Sequence, residues 1–145
     1  GCNLSFAGLK TAVLKISKKI KTEKEKFDLA ASFQKTVEDI LHTKSKIAMD
    51  MFRNNNNNNT GVFVIAGGVA SNKRIRNKLK NLAIVEKYKP IFPPINLCSD
   101  NAAMIAWVGI EKFKLNLNNK LDFPAKARWP LDENAPFMKG AGIKL

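Results

Sequence analysis

At 145 residues, 45% of them apolar and 26% charged, the chain has the length and balance of one ordinary globular domain. That balance excludes wholesale disorder, collagen and coiled coil. Its 25 Lys and Arg against 12 Asp and Glu give a net charge of +13, which suits a polyanionic partner and equally suits a composition rich in Lys and Asn throughout.

The chain opens at Gly1 with Asn3-Leu4-Ser5-Phe6-Ala7-Gly8, an alternating, strand-like pattern that runs into Leu9 to Ile16 and reads as cut from something longer. A Lys-rich connection through Lys18, Lys19, Lys21, Lys24 and Lys26 follows. Apolar residues then recur at helical spacing at Phe27, Ala30, Phe33, Val37, Ile40, Leu41, Ala48 and Met51. The stripe ends in the asparagine run Asn54 to Asn59, expected to be a surface loop.

Val62-Phe63-Val64-Ile65-Ala66 predicts a short strand buried on both faces, as in parallel sheets, ended by Gly67-Gly68. A basic helix is expected from about Asn72, with Ile75, Leu79 and Leu82 spaced to pack and Lys73, Arg74, Arg76, Lys78 and Lys80 around them. Ile91-Phe92 predicts a second strand, Pro93-Pro94 a break, and a helix opens near Ser99 or Asp100 and runs to Phe113. Strand alternating with helix gives an α/β class. After Leu115 an irregular tail is expected, pinned by Trp129 and Phe137.

Four segments carry candidate chemistry. In Ala66 to Asn72, two glycines allow close approach of a ligand such as a phosphate or nucleotide to the backbone, and a helix N-terminus follows. The same residues also suit an ordinary tight turn with Asn72 as N-cap. They match neither the dinucleotide fingerprint nor the P-loop. In Leu97 to Ala106, Asp100 stands at a helix start, where it caps or binds a cation. A metal site needs three or more ligands, and the single histidine, His42, lies on a distant helix, so Cys98 reads as a small buried hydrophobe and His42 as a helix-surface or satisfied core residue. Ser5, Gly8 and Lys10 form a weaker third cluster, and Ala127-Arg128-Trp129-Pro130 reads as an aromatic anchor. No zincin helix, nucleophile elbow or Cys/His pair is present.

Taken in order, Ser5 to Ala12, Ala31-Ser32-Phe33-Gln34, Ala66 to Asn72, Cys98 to Ala106 and Ala127 to Pro130 resemble the C-terminal lobe of the tRNA N6-adenosine threonylcarbamoyltransferase family, also known as O-sialoglycoprotein endopeptidases or glycoproteases. Ala7 stands where many members carry Ser. The resemblance implies an α/β lobe, helix-rich with a small mixed sheet, spanning residues 1–145 of a two-lobed actin-like ATPase or sugar-kinase fold whose N-terminal lobe lies outside this chain. It implies a nucleotide or threonylcarbamoyl adenylate site at Asn72, Gly67, Gly68, Ser5, Gly8 and Lys10. It makes Asp100 a ligand of one divalent metal, iron or zinc, completed by histidines elsewhere.

The activity implied is transfer of a threonylcarbamoyl group to an anticodon-loop adenosine of tRNA, with a paralogous protein and a small ATPase as partners and a chain inactive alone. Lys73, Arg74 and Arg76 would track tRNA phosphates by charge. A stand-alone basic RNA-binding module and a glycoprotein metallopeptidase are the competing readings. Two cysteines, Cys2 and Cys98, outside any C-x-x-C pair, indicate a reducing, cytoplasmic setting. No apolar run of about 20 residues or signal h-region suggests a membrane. An unpaired sheet edge left at the start of the chain would favour a homo-oligomer.

Overall fold

The computed structural model describes residues 1–56 and 60–125, and these divide between two compact units, Gly1–Asn101 and a second beginning at Ala102. In the first unit, α1 (Ala7–Ser17) packs on α2 (Glu23–Asn56). Thr22 opens α2 with a reciprocal cap. Its Oγ1 accepts from the Glu25 N–H at 3.2 Å, and the Glu25 carboxylate accepts from the backbone of Lys21 at 2.8 Å and Thr22 at 3.1 Å. The N–H groups of Lys21 and Thr22 hold the Glu25 carboxyl below its usual range.

Strand β1 (Gly61–Val64), α3 (Lys73–Val85) and β2 (Tyr88–Ile91) form a strand–helix–strand unit whose two strands are parallel, with Gly61 opposite Tyr88 and Val64 opposite Ile91. Lys87, at φ 62°, turns the chain out of α3 into β2. The core gathers Met49 of α2, Ile75, Leu79, Leu82 and Ala83 of α3, and Tyr88, with Val37, Leu41, Phe63 and Ile65 packed around it. The Ile75, Leu79 and Leu82 spacing therefore marked the buried face of α3 correctly. Tyr88 closes the core: its hydroxyl donates to the Met49 carbonyl at 3.0 Å.

Gly61 is required by that ring. A Cβ there would lie 2.8 Å from Tyr88 Cε1, and Tyr88 is tethered. Gly61→Val is expected to lower unfolding free energy by about 1–3 kcal/mol through overpacking, read as a shift of the urea midpoint.

Several expectations give way. The sheet is two-stranded and wholly parallel among the described residues, not mixed. Leu4 and Phe6 form no strand; with no neighbour to pair among the described residues, the segment leads into α1, whose residues from Ala7 repeat at helical spacing. Strand β1 buries one face only, with Phe63 against the core while Val62 and Val64 remain exposed.

Asn54, Asn55 and Asn56 continue α2, because adding residues to a long existing helix is far cheaper than nucleating one, and Asn56 Nδ2 donates back to the Phe52 carbonyl at 2.9 Å. Residues 57–59 of the run lie outside the described residues. On α2 the core takes Met49 rather than Met51, and Phe27, Ala30 and Phe33 are exposed.

The second unit opens with α4 (Ala102–Lys114), two or three residues later than the expected start at Asp100 or Ser99. Within it Lys114 pairs with Glu111 at 2.9 Å and lies 5.9 Å from the Trp107 ring centre. The expected tail anchors Trp129 and Phe137 fall outside the described residues. Among the described residues no helix is long and apolar enough to cross a membrane.

Ion pairs fasten α2 to α3. Glu86 holds Arg53 at 2.8 Å and Lys46 at 3.2 Å, and Asp39 takes both Lys35 and Lys78. Lys35 and Lys78 hold the Asp39 carboxyl down at about 2 from an ordinary 3.8. A depressed acid stabilises the fold above its unfolded value and loses that contribution as pH falls through the folded one. The stability gap between the parent chain and Asp39→Asn is therefore expected to be full above about pH 4 and to close toward pH 2, with salt narrowing it because the pair is half exposed. Urea unfolding across that pH range reads it.

Candidate functional site at the strand ends

Both glycine-rich and acidic segments leave the sheet at the same end, following the C-terminal ends of β1 and β2. After β1 the chain turns at Gly67, φ +88°, a conformation costly for a residue with a Cβ. A 3-10 turn, Gly68–Ser71, follows and delivers Asn72 to the start of α3. A Cβ on either Gly67 or Gly68 would meet no heavy atom within 4 Å, so the outer surface of this corner is open.

Asn72 is the helix cap: its Oδ1 accepts from Arg74 N–H at 3.0 Å and Ile75 N–H at 3.3 Å. Those two donors are thus spent, and the Ala70 and Asn72 N–H groups bond Gly67 and Val69 carbonyls at 2.9 and 3.1 Å. Among the described residues the N–H groups of Gly68 and Val69 have no hydrogen-bond acceptor, which leaves the first turn of the 3-10 segment as a free donor pair. Asn72→Ala is expected to cost about 1 kcal/mol and Asn72→Ser only a few tenths, since serine keeps a capping oxygen. Thermal unfolding of the two variants checks this.

After β2, Pro93-Pro94 breaks the strand and a 3-10 turn, Ile95–Leu97, leads to Cys98 and Asp100. The two turns touch, and one side chain from α3 ties them. Arg76 Nε donates to the Ala70 carbonyl at 2.9 Å, and its Nη2 donates to the Pro93 carbonyl at 3.0 Å and to Cys98 Sγ at 3.2 Å. Its guanidinium carbon lies 4.8 Å from the Phe92 ring centre. Cys98 is buried, as the sequence suggested, and its thiol also lies 3.5 Å from the Pro94 carbonyl. Asp100 is exposed, and its carboxylate makes no hydrogen bond or ion pair among the described residues.

The remaining candidates sit elsewhere. Ser5 precedes α1, and Gly8 and Lys10 lie in its first turns; all three are exposed, and α1 packs on α2 rather than on these strand-end turns. Of the three basic residues expected to follow a phosphate backbone, only Lys73 is uncommitted: Arg76 is turned inward, and Arg74 pairs with the buried Glu38 at 3.1 Å. Glu38 also accepts from Gln34 Nε2 at 3.1 Å, which gives the glutamine of the Ala31 to Gln34 segment a structural task behind α3. Glu38 was not singled out from sequence; the signal was a carboxylate beside Val37 on the apolar stripe, four residues after Gln34. His42 is half-buried on α2. Ala127 to Pro130 lie outside the described residues.

No group of three or more His, Cys, Asp and Glu side chains able to hold a metal occurs among the described residues. The donor set here fits one ligand of a shared ion at most, from Asp100, and does not fit a self-sufficient metal site.

The sequence profile of the TsaD family, tRNA N6-adenosine threonylcarbamoyltransferase, matches residues 1–107. Relatives carrying that name include proteins of Pelagibacter ubique strain HTCC1062, 68% identical over the whole chain and 41% of the relative, and Zymomonas mobilis, 46% identical over 98% of the chain and 38% of the relative. A protein of Rhodospirillum rubrum is 43% identical over 98% of the chain and 40% of its own length. The chain therefore spans about two fifths of the length of these relatives. With the profile covering most of it, this chain belongs to the tRNA N6-adenosine threonylcarbamoyltransferase family.

Proposed function

We propose that this chain supplies one wall of the acyl-transfer site of a tRNA N6-adenosine threonylcarbamoyltransferase, as the C-terminal lobe, residues 1–145, of a two-lobed actin-like ATPase fold. The observation that carries the reading is the pairing of the Gly67–Asn72 turn with the Pro93–Asp100 segment at the C-terminal ends of two parallel strands, the end at which open α/β sheets bind ligands. The free Gly68 and Val69 N–H groups at an open corner suit an anionic phosphate of an adenylate.

In the reaction proposed, the exocyclic amine of a tRNA adenosine attacks the carbamoyl carbonyl carbon of threonylcarbamoyl adenylate. A new N–C bond forms, the C–O bond to the phosphate breaks, AMP leaves and the amine loses a proton. The chain's residues bind and orient the donor: Gly67 and Gly68 let it approach, the amide of Asn72 faces it beyond the capping oxygen, and Asp100 contributes one carboxylate to a divalent ion whose other ligands lie outside this chain. Ser5, Gly8 and Lys10 join the nucleotide wall only in the complete protein. Transfer to tRNA in the cytoplasm, with a paralogous partner and a small ATPase, completes the proposal.

The test is transfer of radiolabelled threonylcarbamoyl from its adenylate to unmodified tRNA by the full-length protein, with Asn72→Ser alongside. The parent is expected to label tRNA, and Asn72→Ser to lose transfer while keeping its unfolding midpoint. Absence of labelling by a folded parent protein supplied with its partners would overturn the proposal.

A further inference from the structure

We infer that Arg76 is a positioning residue that sets the glycine corner and Asp100 at a fixed separation; the inference rests on the acyl-transfer reading of this site. Arg76 lies in the first turn of a basic helix and reads as a surface cation, yet its fork is folded inward. Its donors go to the Ala70 carbonyl on one turn and to the Pro93 carbonyl and Cys98 sulfur on the other, at 2.9, 3.0 and 3.2 Å. Its own N–H bonds the Asn72 carbonyl at 2.9 Å. One residue thus holds the chain at two points within Gly67–Asn72 and again two residues before Asp100.

The chemistry of the fork explains the choice. All three side-chain acceptors are neutral, and no carboxylate pairs with Arg76 among the described residues, so its charge strengthens hydrogen bonds to backbone and thiol rather than neutralising an acid. Phe92 stacks on the guanidinium face at 4.8 Å and fixes its plane. A lysine would supply the charge but cannot hold two diverging acceptors in one plane. Helix α3 does not need Arg76 for its own packing, because Ile75, Leu79, Leu82 and Ala83 already bury its inner face. What Arg76 adds is the registry of two turns that otherwise follow different strands.

Steady-state transfer by the full-length protein tests this in a double-mutant cycle of Arg76→Lys and Asp100→Glu. Arg76→Lys is expected to lower kcat about ten- to a hundredfold, with KM for tRNA unchanged within about twofold, because a small misplacement of reacting groups costs rate rather than binding. Combined with Asp100→Glu, the loss is expected to be clearly smaller than the product of the two single losses, since both changes disturb one distance. Losses that multiply, or a loss confined to KM for tRNA, would overturn the inference while leaving the acyl-transfer reading intact. Asp100→Glu at parental rate would remove Asp100 from the site and overturn the inference, whereas absence of transfer by the folded parent would overturn the acyl-transfer reading. Should Arg76→Lys fail to fold, Phe92→Leu takes its place: it frees the same guanidinium, is expected to lower kcat severalfold, and at parental kcat overturns the inference.

Discussion

Leu79→Ala is expected to lower the unfolding free energy by about 3 kcal/mol, read as a large drop in urea midpoint with little change in slope. Leu79 is 4% exposed and sits among Met49, Ile75, Leu82, Ala83 and Tyr88. Its neighbours are pinned on two sides. Tyr88 is tied to α2 through its hydroxyl, and Glu86 holds Arg53 and Lys46 of α2, so the helices cannot close over the void. Against the 5–15 kcal/mol typical of a domain, a loss of that size removes a large share of the stability. A change below about 1 kcal/mol would mean that α3 is held by its ion pairs and not by its apolar face.

Asp100→Ala is expected to behave in the opposite way. The carboxylate is exposed and has no hydrogen bond or ion pair among the described residues, so its removal leaves the unfolding midpoint where it was. On the proposed acyl-transfer reading, threonylcarbamoyl transfer by the full-length protein is expected to fall by about a hundredfold or more, the scale on which loss of one group stabilising the reacting centre is felt. A stable variant with full activity would remove Asp100 from the site. Together Leu79 and Asp100 separate the residues that hold this unit from those it presents.

Much of this architecture was legible because it depends on local pattern. Ile75, Leu79 and Leu82 recur at the helical period, Gly67 marks a positive φ, and Asn72 stands where a helix must be capped. What was not legible depends on where the chain goes next. Val62 and Val64 are as β-branched and apolar as a doubly buried strand, yet only packing decides which face is covered. Leu4 and Phe6 alternate like a strand, but a strand requires a neighbour, and none among the described residues pairs with them.

Arg76 was the largest omission. In sequence it is one cation among five on α3; only the positions of Ala70, Pro93 and Cys98 turn it inward. The candidate site was legible as two separate motifs, and the side chain joining them was hidden in the charge run between.

The parallel pair β1 and β2 has a consequence for synthesis on the ribosome. Every buried member of the core, from Met49 to Tyr88, lies in one continuous stretch, and the crossover that joins the strands is α3 itself. Closing this unit costs little loop entropy, so it can condense as soon as Ile91 clears the exit tunnel, while α4 is still inside it. The nascent polypeptide would then carry an already folded seed, onto which later residues are added without reopening it.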